Sequence, residues 1–393
     1  MSRCAWKSRC AWKGWFMMGA LALLGGGGWP AAPAQAAGCT GIADGKCHLA
    51  LSTGIDLAYV ERGPAAGTTV IFVHGLTDSI RSWQPTMDAL AAAAPDLHIL
   101  AVDLRGHGAS TMPDAALCAP APEACFRPAQ MAQDIAALMD AKGIARAYVV
   151  GHSLGSFVTQ ELALAAPQKV AGAVLVATAA TGVGNVALRD YVLAEPVEGA
   201  WKKALEAEGK AFPVDFYRAT PEQADPKVAA WLAANWDVDP LAPAAFLEPY
   251  IPETAKVPLG TWIGATRAAL ACDNAARLAE LRGPVLVLWG SQDNIFLPAD
   301  QEAVKAALTR AAAAGGITDY WKQYGRVPLP QSGAQESDIG HNVQWGAPEA
   351  VAGDVLAFIR TGKPDPRQPY AVKKGEGFVI EAGTPDPAIV ELR

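Results

Sequence analysis

Residues 151–155 read Gly-His-Ser-Leu-Gly, which fits the spacing G-x-S-x-G. A serine on a sharp turn between a buried strand and a helix is held in a strained backbone with its hydroxyl exposed as a nucleophile. Only small residues two positions either side let strand and helix pass so closely, and Gly151 and Gly155 fill those places. The run over 145–150 reads as a strand, and Phe157, Val158, Leu162 and Leu164 follow at helical spacing as far as Pro167. Strand, turn and helix come in the order the chemistry needs, making Ser153 the candidate nucleophile.

A serine hydroxyl is a weak nucleophile and needs a base within hydrogen-bond reach, itself held by a third group. Histidines occur at 48, 74, 98, 107, 152 and 341. In the chain order serine, acid, histidine, His341 alone is eligible. It sits in Gly340-His341-Asn342, just before the last expected helix. For the acid, Asp293 follows the apolar run 285–289 in Gly290-Ser291-Gln292-Asp293, whereas residues 177–180 after the preceding strand hold no carboxylate.

These side chains need a scaffold. Strands are expected at 46–52 and 55–62 with a turn at Thr53-Gly54, then at 69–73, 98–102, 148–150, 170–177, 284–289 and, more weakly, 317–324. Helices are expected at 82–94, 129–142, 298–313 and 348–360. Buried strands alternating with helices predict a parallel sheet covered on both faces. The alternation stops between about 182 and 280, where Ala-rich helical segments carry Trp201, Phe216, Trp231, Trp236, Phe246, Tyr250 and Trp262. An inserted helical cap accounts for that stretch. Some of its rings, turned to a cleft, would suit an acyl chain or ring. The last thirty or so residues are Pro- and Gly-rich, with possible short strands at 377–381 and 388–392; the tail is expected to cover the surface or hang free.

His74-Gly75, residues 103–108 (Asp-Leu-Arg-Gly-His-Gly), Gly151 to Gly155, Gly290 to Pro298 and Gly340-His341-Asn342 together resemble the α/β-hydrolase superfamily over roughly residues 45–360. That resemblance implies an eight-stranded mostly parallel sheet flanked by helices, a cap inserted after the sixth strand, and an active site between cap and sheet. It also implies that the backbone N–H groups of Leu76 and Leu154 hold an oxyanion. His74 is expected to order the oxyanion loop, Arg105 and His107 to brace the loop after their strand, and His152 to pack beside the elbow. The chemistry implied is acyl transfer to water on a small-molecule ester or lactone, with no cofactor or metal. Carbon–carbon hydrolases, acyltransferases and perhydrolases share the serine triad and stay open, as does a non-catalytic ligand-binding protein of the same fold. Dehalogenases and epoxide hydrolases carry aspartate where this chain has Ser153.

The 393 residues are 51% hydrophobic with a formal charge of −7. That suits a globular core and disfavours nucleic-acid binding, which needs a clustered basic face. The basic cluster present, Arg3, Lys7, Arg9 and Lys13, precedes an uncharged stretch at 14–28 and Ala34-Gln35-Ala36, the parts of a secretory signal peptide. Residues 1–36 are expected to be removed on export, leaving −11. The expected division is core at 37–181 and 281–361, cap at 182–280 and tail at 362–393. Of seven cysteines, Cys39 with Cys47 and Cys118 with Cys125 could close short disulfide loops in a periplasmic or secreted protein, leaving Cys272 odd. The alternative is a lipid anchor on Cys39, since 36–39 resembles a lipobox; a membrane enters only by that route. The sequence is silent on oligomeric state.

Overall fold

The computed structural model describes residues 39–118, 121–235, 242, 244–315, 318–328, 336–367, 372–374, 377–379 and 389–392. The expected leader at 1–36 and Trp236 lie outside the described residues. The chain runs β1 (Cys47–Ala50), β2 (Asp56–Arg62), β3 (Thr69–Val73), α1 (Gln84–Ala93), β4 (His98–Val102), α2 (Pro128–Ala141), β5 (Ala147–His152), α3 (Leu154–Ala165) and β6 (Val170–Val176). A helical insertion follows, with π-helical turns at Ala187–Ala194 and Pro196–Trp201, then α4 (Lys202–Ala207), α5 (Pro221–Ala224), α6 (Val228–Asn235), α7 (Ala244–Ala255) and α8 (Leu259–Leu270). The sheet resumes with β7 (Val285–Gly290), α9 (Pro298–Gly315) and β8 (Asp319–Tyr324), after which β9 (Arg326–Pro328) and β10 (Glu336–Asp338) pair with each other in a separate two-stranded sheet. The chain closes with α10 (Val343–Gly346), α11 (Pro348–Thr361), β11 (Val372–Lys374), β12 (Gly377–Val379) and β13 (Ile389–Leu392).

The main sheet has the order β1-β2-β4-β3-β5-β6-β7-β8-β13, parallel from β4 to β8 and antiparallel at both ends. Eight strands were the expectation; the structure has nine in this sheet. The ninth comes from the tail, where Ile389–Leu392 pairs with the exposed edge of β8 and buries Leu392. An unpaired edge offers a row of backbone donors and acceptors, and the tail satisfies them. Part of the tail therefore belongs to the sheet.

Successive residues of the central strands serve opposite faces. On β3, Ile71 and Val73 join the core under α2 and α3, while Val70 and Phe72 join the core under α1 and α11. On β7, Val287 faces the first core and Leu286 and Leu288 the second. Both faces being apolar, these strands read as continuous hydrophobic runs with sharp ends. In the insertion Trp201 packs edge-on against Trp262 and Trp231, with centroids 5.1 and 5.7 Å away. Trp201, Phe216, Tyr250 and Trp262 are buried.

Candidate active site

Ser153 stands between β5 and α3 at φ 51° and ψ −116°, a left-handed conformation for a residue with a side chain. Such a backbone costs about 1–3 kcal/mol and persists only where the surroundings impose it. Here the Ser153 N–H donates to the Val176 carbonyl at 3.0 Å, and the Ser156 hydroxyl donates to the Ser153 carbonyl at 2.6 Å. A Cβ on Gly151 would lie 2.1 Å from the Gly155 carbonyl oxygen, and one on Gly155 would lie 2.3 Å from that of Val73. The two glycines thus let α3 start directly against β5 and against the end of β3.

That approach brings the two expected oxyanion donors to one edge of the sheet. Leu154 is the first residue of α3, where a backbone N–H has no intrahelical acceptor and the helix dipole favours negative charge. Leu76 lies just past β3, before Thr77, whose φ of 59° turns the chain away. The loop is held from below by His74, whose Nδ1 donates to the Gly75 carbonyl at 2.8 Å while Nε2 accepts from the Leu104 N–H at 2.9 Å. Burial pushes its imidazole well below the usual range, so His74 orders the loop as a neutral ring.

The candidate acid and base meet: His341 Nδ1 is 2.9 Å from Asp293 Oδ1. The same oxygen accepts from the Ile295 and Phe296 N–H groups, each at 2.9 Å, which fixes the carboxylate on its turn. With Nδ1–H donated to Asp293, the lone pair of neutral His341 is on Nε2. The acid loop and histidine loop touch through backbone, Gln292 N–H donating to the Ile339 carbonyl at 2.9 Å. A Cβ on Gly290 would sit 2.1 Å from the Gly340 carbonyl oxygen, so glycine is what lets the two loops close up. The residues after β6 are a polar network around Thr178, bonded to Ser156, Gln160 and Gln301, and supply no carboxylate.

Arg105 forks onto Asp134 with two 2.7 Å bonds and donates to the Cys125 carbonyl at 3.0 Å. His107 donates from Nδ1 to the Arg105 carbonyl at 3.0 Å, and burial pushes it down to about 4. Both brace the loop after β4. His152 does more than pack beside the elbow, since it bonds the histidine loop.

Sequence reading missed the contacts between α7 and the loop that follows Leu76. The Tyr250 hydroxyl donates to buried Asp78 Oδ1 at 2.6 Å. Glu253 accepts from the Ser79 hydroxyl at 2.9 Å and from Arg81 Nε at 2.7 Å. Burial pushes the Asp78 carboxyl up to about 6 against the opposing influence of Tyr250 and His341. The one available signal was a carboxylate two residues past an expected oxyanion donor.

A family model described as "alpha/beta hydrolase fold" matches residues 68–315. Among curated proteins, the chain is 31% identical over 256 residues to the dihydrolipoyllysine-residue acetyltransferase component of the acetoin cleaving system of Cupriavidus necator, covering 65% of this chain and 60% of that protein. It is 34% identical over 165 residues to lipase LipV of Mycobacterium tuberculosis, covering 41% of this chain and 58% of that protein. The chain thus spans less than two thirds of either relative. Among solved structures, the esterase RhEst1 from Rhodococcus sp. ECU1013 superposes with a TM-score of 0.54 at 23% identity, over 80% of this chain and 98% of that one.

Proposed function

The chain belongs to the alpha/beta hydrolase fold family, and from that membership we propose that it is an exported serine hydrolase cleaving a carboxylic ester or lactone of a small to medium apolar substrate. The observation that carries this reading is a serine in strained backbone at a strand-to-helix turn, together with a His341–Asp293 pair 2.9 Å apart whose histidine ring lies 5.0 Å from that of His152, the residue before the serine. Ser153 Oγ attacks the carbonyl carbon as its proton passes to His341, and the backbone N–H groups of Leu76 and Leu154 take the oxyanion. The carbon–oxygen bond to the leaving alcohol then breaks, the alcohol taking the proton from His341. Water, deprotonated by His341, releases the acid and restores Ser153. Asp293 fixes the ring and balances its positive charge.

An apolar acyl group is supported by Phe296, which packs its ring 5.6 Å from that of His341 and belongs to a buried cluster with Phe157, Ala179 and Cys272. Export is supported by the cysteines: Cys39 and Cys47, and Cys118 and Cys125, are placed for disulfides with Cα atoms 5.1 Å apart in each pair. A Cys39 bonded to Cys47 has no thiol left for a lipid. Among the described residues no helix is long and apolar enough to cross a membrane.

The test is hydrolysis of p-nitrophenyl esters of increasing chain length and of a lactone, by wild type and Ser153→Ala. Turnover of at least one of these by wild type and none by the variant is expected. Equal turnover by both proteins contradicts the assignment.

A further inference from the structure

His152 sits between the candidate nucleophile's elbow and the candidate base's loop, and its two ring nitrogens are committed to different partners. Nε2 is 3.1 Å from the His341 carbonyl oxygen, which can only accept, so this nitrogen carries the proton. Nδ1 is 3.2 Å from the side-chain nitrogen of Gln344, which can only donate, so this nitrogen carries the lone pair. The geometry thus fixes one neutral tautomer. Burial, with His341 close by, pushes the ring well below the usual imidazole range and favours the same form.

The ring also touches the third loop of the site. A Cβ on Gly75 would lie 2.8 Å from His152 Nδ1, so the ring rests directly on the backbone just ahead of Leu76. Its centroid is 5.0 Å from that of His341 and 6.5 Å from that of Trp83. Serine elbow, oxyanion loop and histidine loop converge on this one side chain.

We infer that His152 is a positioning residue: through its Nε2–H bond to the His341 backbone it sets the histidine loop, and with it the His341 ring, relative to Ser153. This rests on the serine-hydrolase reading. A misplacement of about 1 Å at a reacting centre lowers turnover by about 100-fold, whereas substrate binding, made by other groups, need not change.

The experiment compares wild type, His152→Leu, His152→Gln and Gln344→Leu in kcat and KM on the best p-nitrophenyl ester, with the rate of fluorophosphonate labelling at Ser153. His152→Leu is expected to lose about 100-fold in kcat with KM within about twofold, and to label more slowly by a similar factor. His152→Gln retains an N–H that can reach the carbonyl and is expected to recover most of that loss. Equal kcat in the Leu and Gln variants, or an unchanged His152→Leu, overturns the inference while a labelled wild type keeps the serine-hydrolase reading. An unlabelled wild type overturns both. If His152→Leu does not fold, Gln344→Leu decides, with about a tenfold fall in kcat expected and an unchanged kcat contradicting the inference.

Discussion

Glycines set how closely the loops around Ser153, Asp293 and His341 approach, and they separate geometric demand from coincidence of sequence. A methyl on Gly290 meets a backbone oxygen at 2.1 Å, while one on Gly340, the partner in that contact, has nothing nearer than 3.7 Å. Gly290→Ala must therefore push apart the acid and histidine loops, and we expect a loss of about 1–3 kcal/mol with a fall in activity. Gly340→Ala should stay close to wild type. Urea unfolding midpoints with parallel assays check the pair, and equal behaviour contradicts the packing described. The candidate serine, acid and histidine could be picked out because each carries a local signal: a small-residue frame at 151–155, a turn aspartate after an apolar run, and a histidine ahead of a helix. His152 fits the same pentapeptide, but its partner His341 lies 189 positions away, and nothing local announces that bond.

At the scale of elements, the parallel strands were the easiest to read. The expected ends of the strands at 69–73 and 98–102 coincide with β3 and β4, because burial on both faces makes the whole strand apolar and its edges abrupt. The ninth strand was harder, since β13 is short and lies in a Pro- and Gly-rich tail whose pairing depends on the edge of β8. The insertion read as helical, yet its contacts with the core are ones no periodicity encodes. Tyr250 and Glu253 on α7 reach Asp78, Ser79 and Arg81 across more than 170 positions. Through them the insertion grips the loop that carries Leu76. Tyr250→Phe leaves a buried carboxylate oxygen without that donor, which costs about 1–3 kcal/mol when the carboxylate is charged. The folded Asp78 carboxyl is raised to about 6, with the Tyr250 hydrogen bond holding it down; losing that donor raises it further in the variant, so the deficit should shrink as pH falls towards 6 and be smallest below it. Thermal melts of both proteins at pH 5 and pH 8 check this, and a deficit unchanged between them contradicts it.

Across the whole molecule, buried imidazoles and buried carboxylates pull stability in opposite directions with pH. His74, His107 and His152 are all lowered in the fold, chiefly by burial. Below their unfolded value of about 6.5 the unfolded chain takes up protons that the folded chain refuses, so these groups remove stability as pH falls. Asp319, raised to about 7 by burial, acts the other way and costs stability as pH rises from its unfolded value towards 7. The His107 imidazole is held at about 4. His107→Gln should therefore gain stability relative to wild type as pH is lowered from 6.5 to 4, and parallel melting curves for the two proteins across that range contradict the reading.

Fluorophosphonate labelling, followed by mass spectrometry of the peptide containing residues 151–155, decides whether Ser153 is the nucleophile of a hydrolytic site built with His341 and Asp293. One adduct per chain on Ser153 in wild type, and none in Ser153→Ala, is the predicted result. A wild type that turns over esters yet carries the adduct elsewhere or not at all contradicts it.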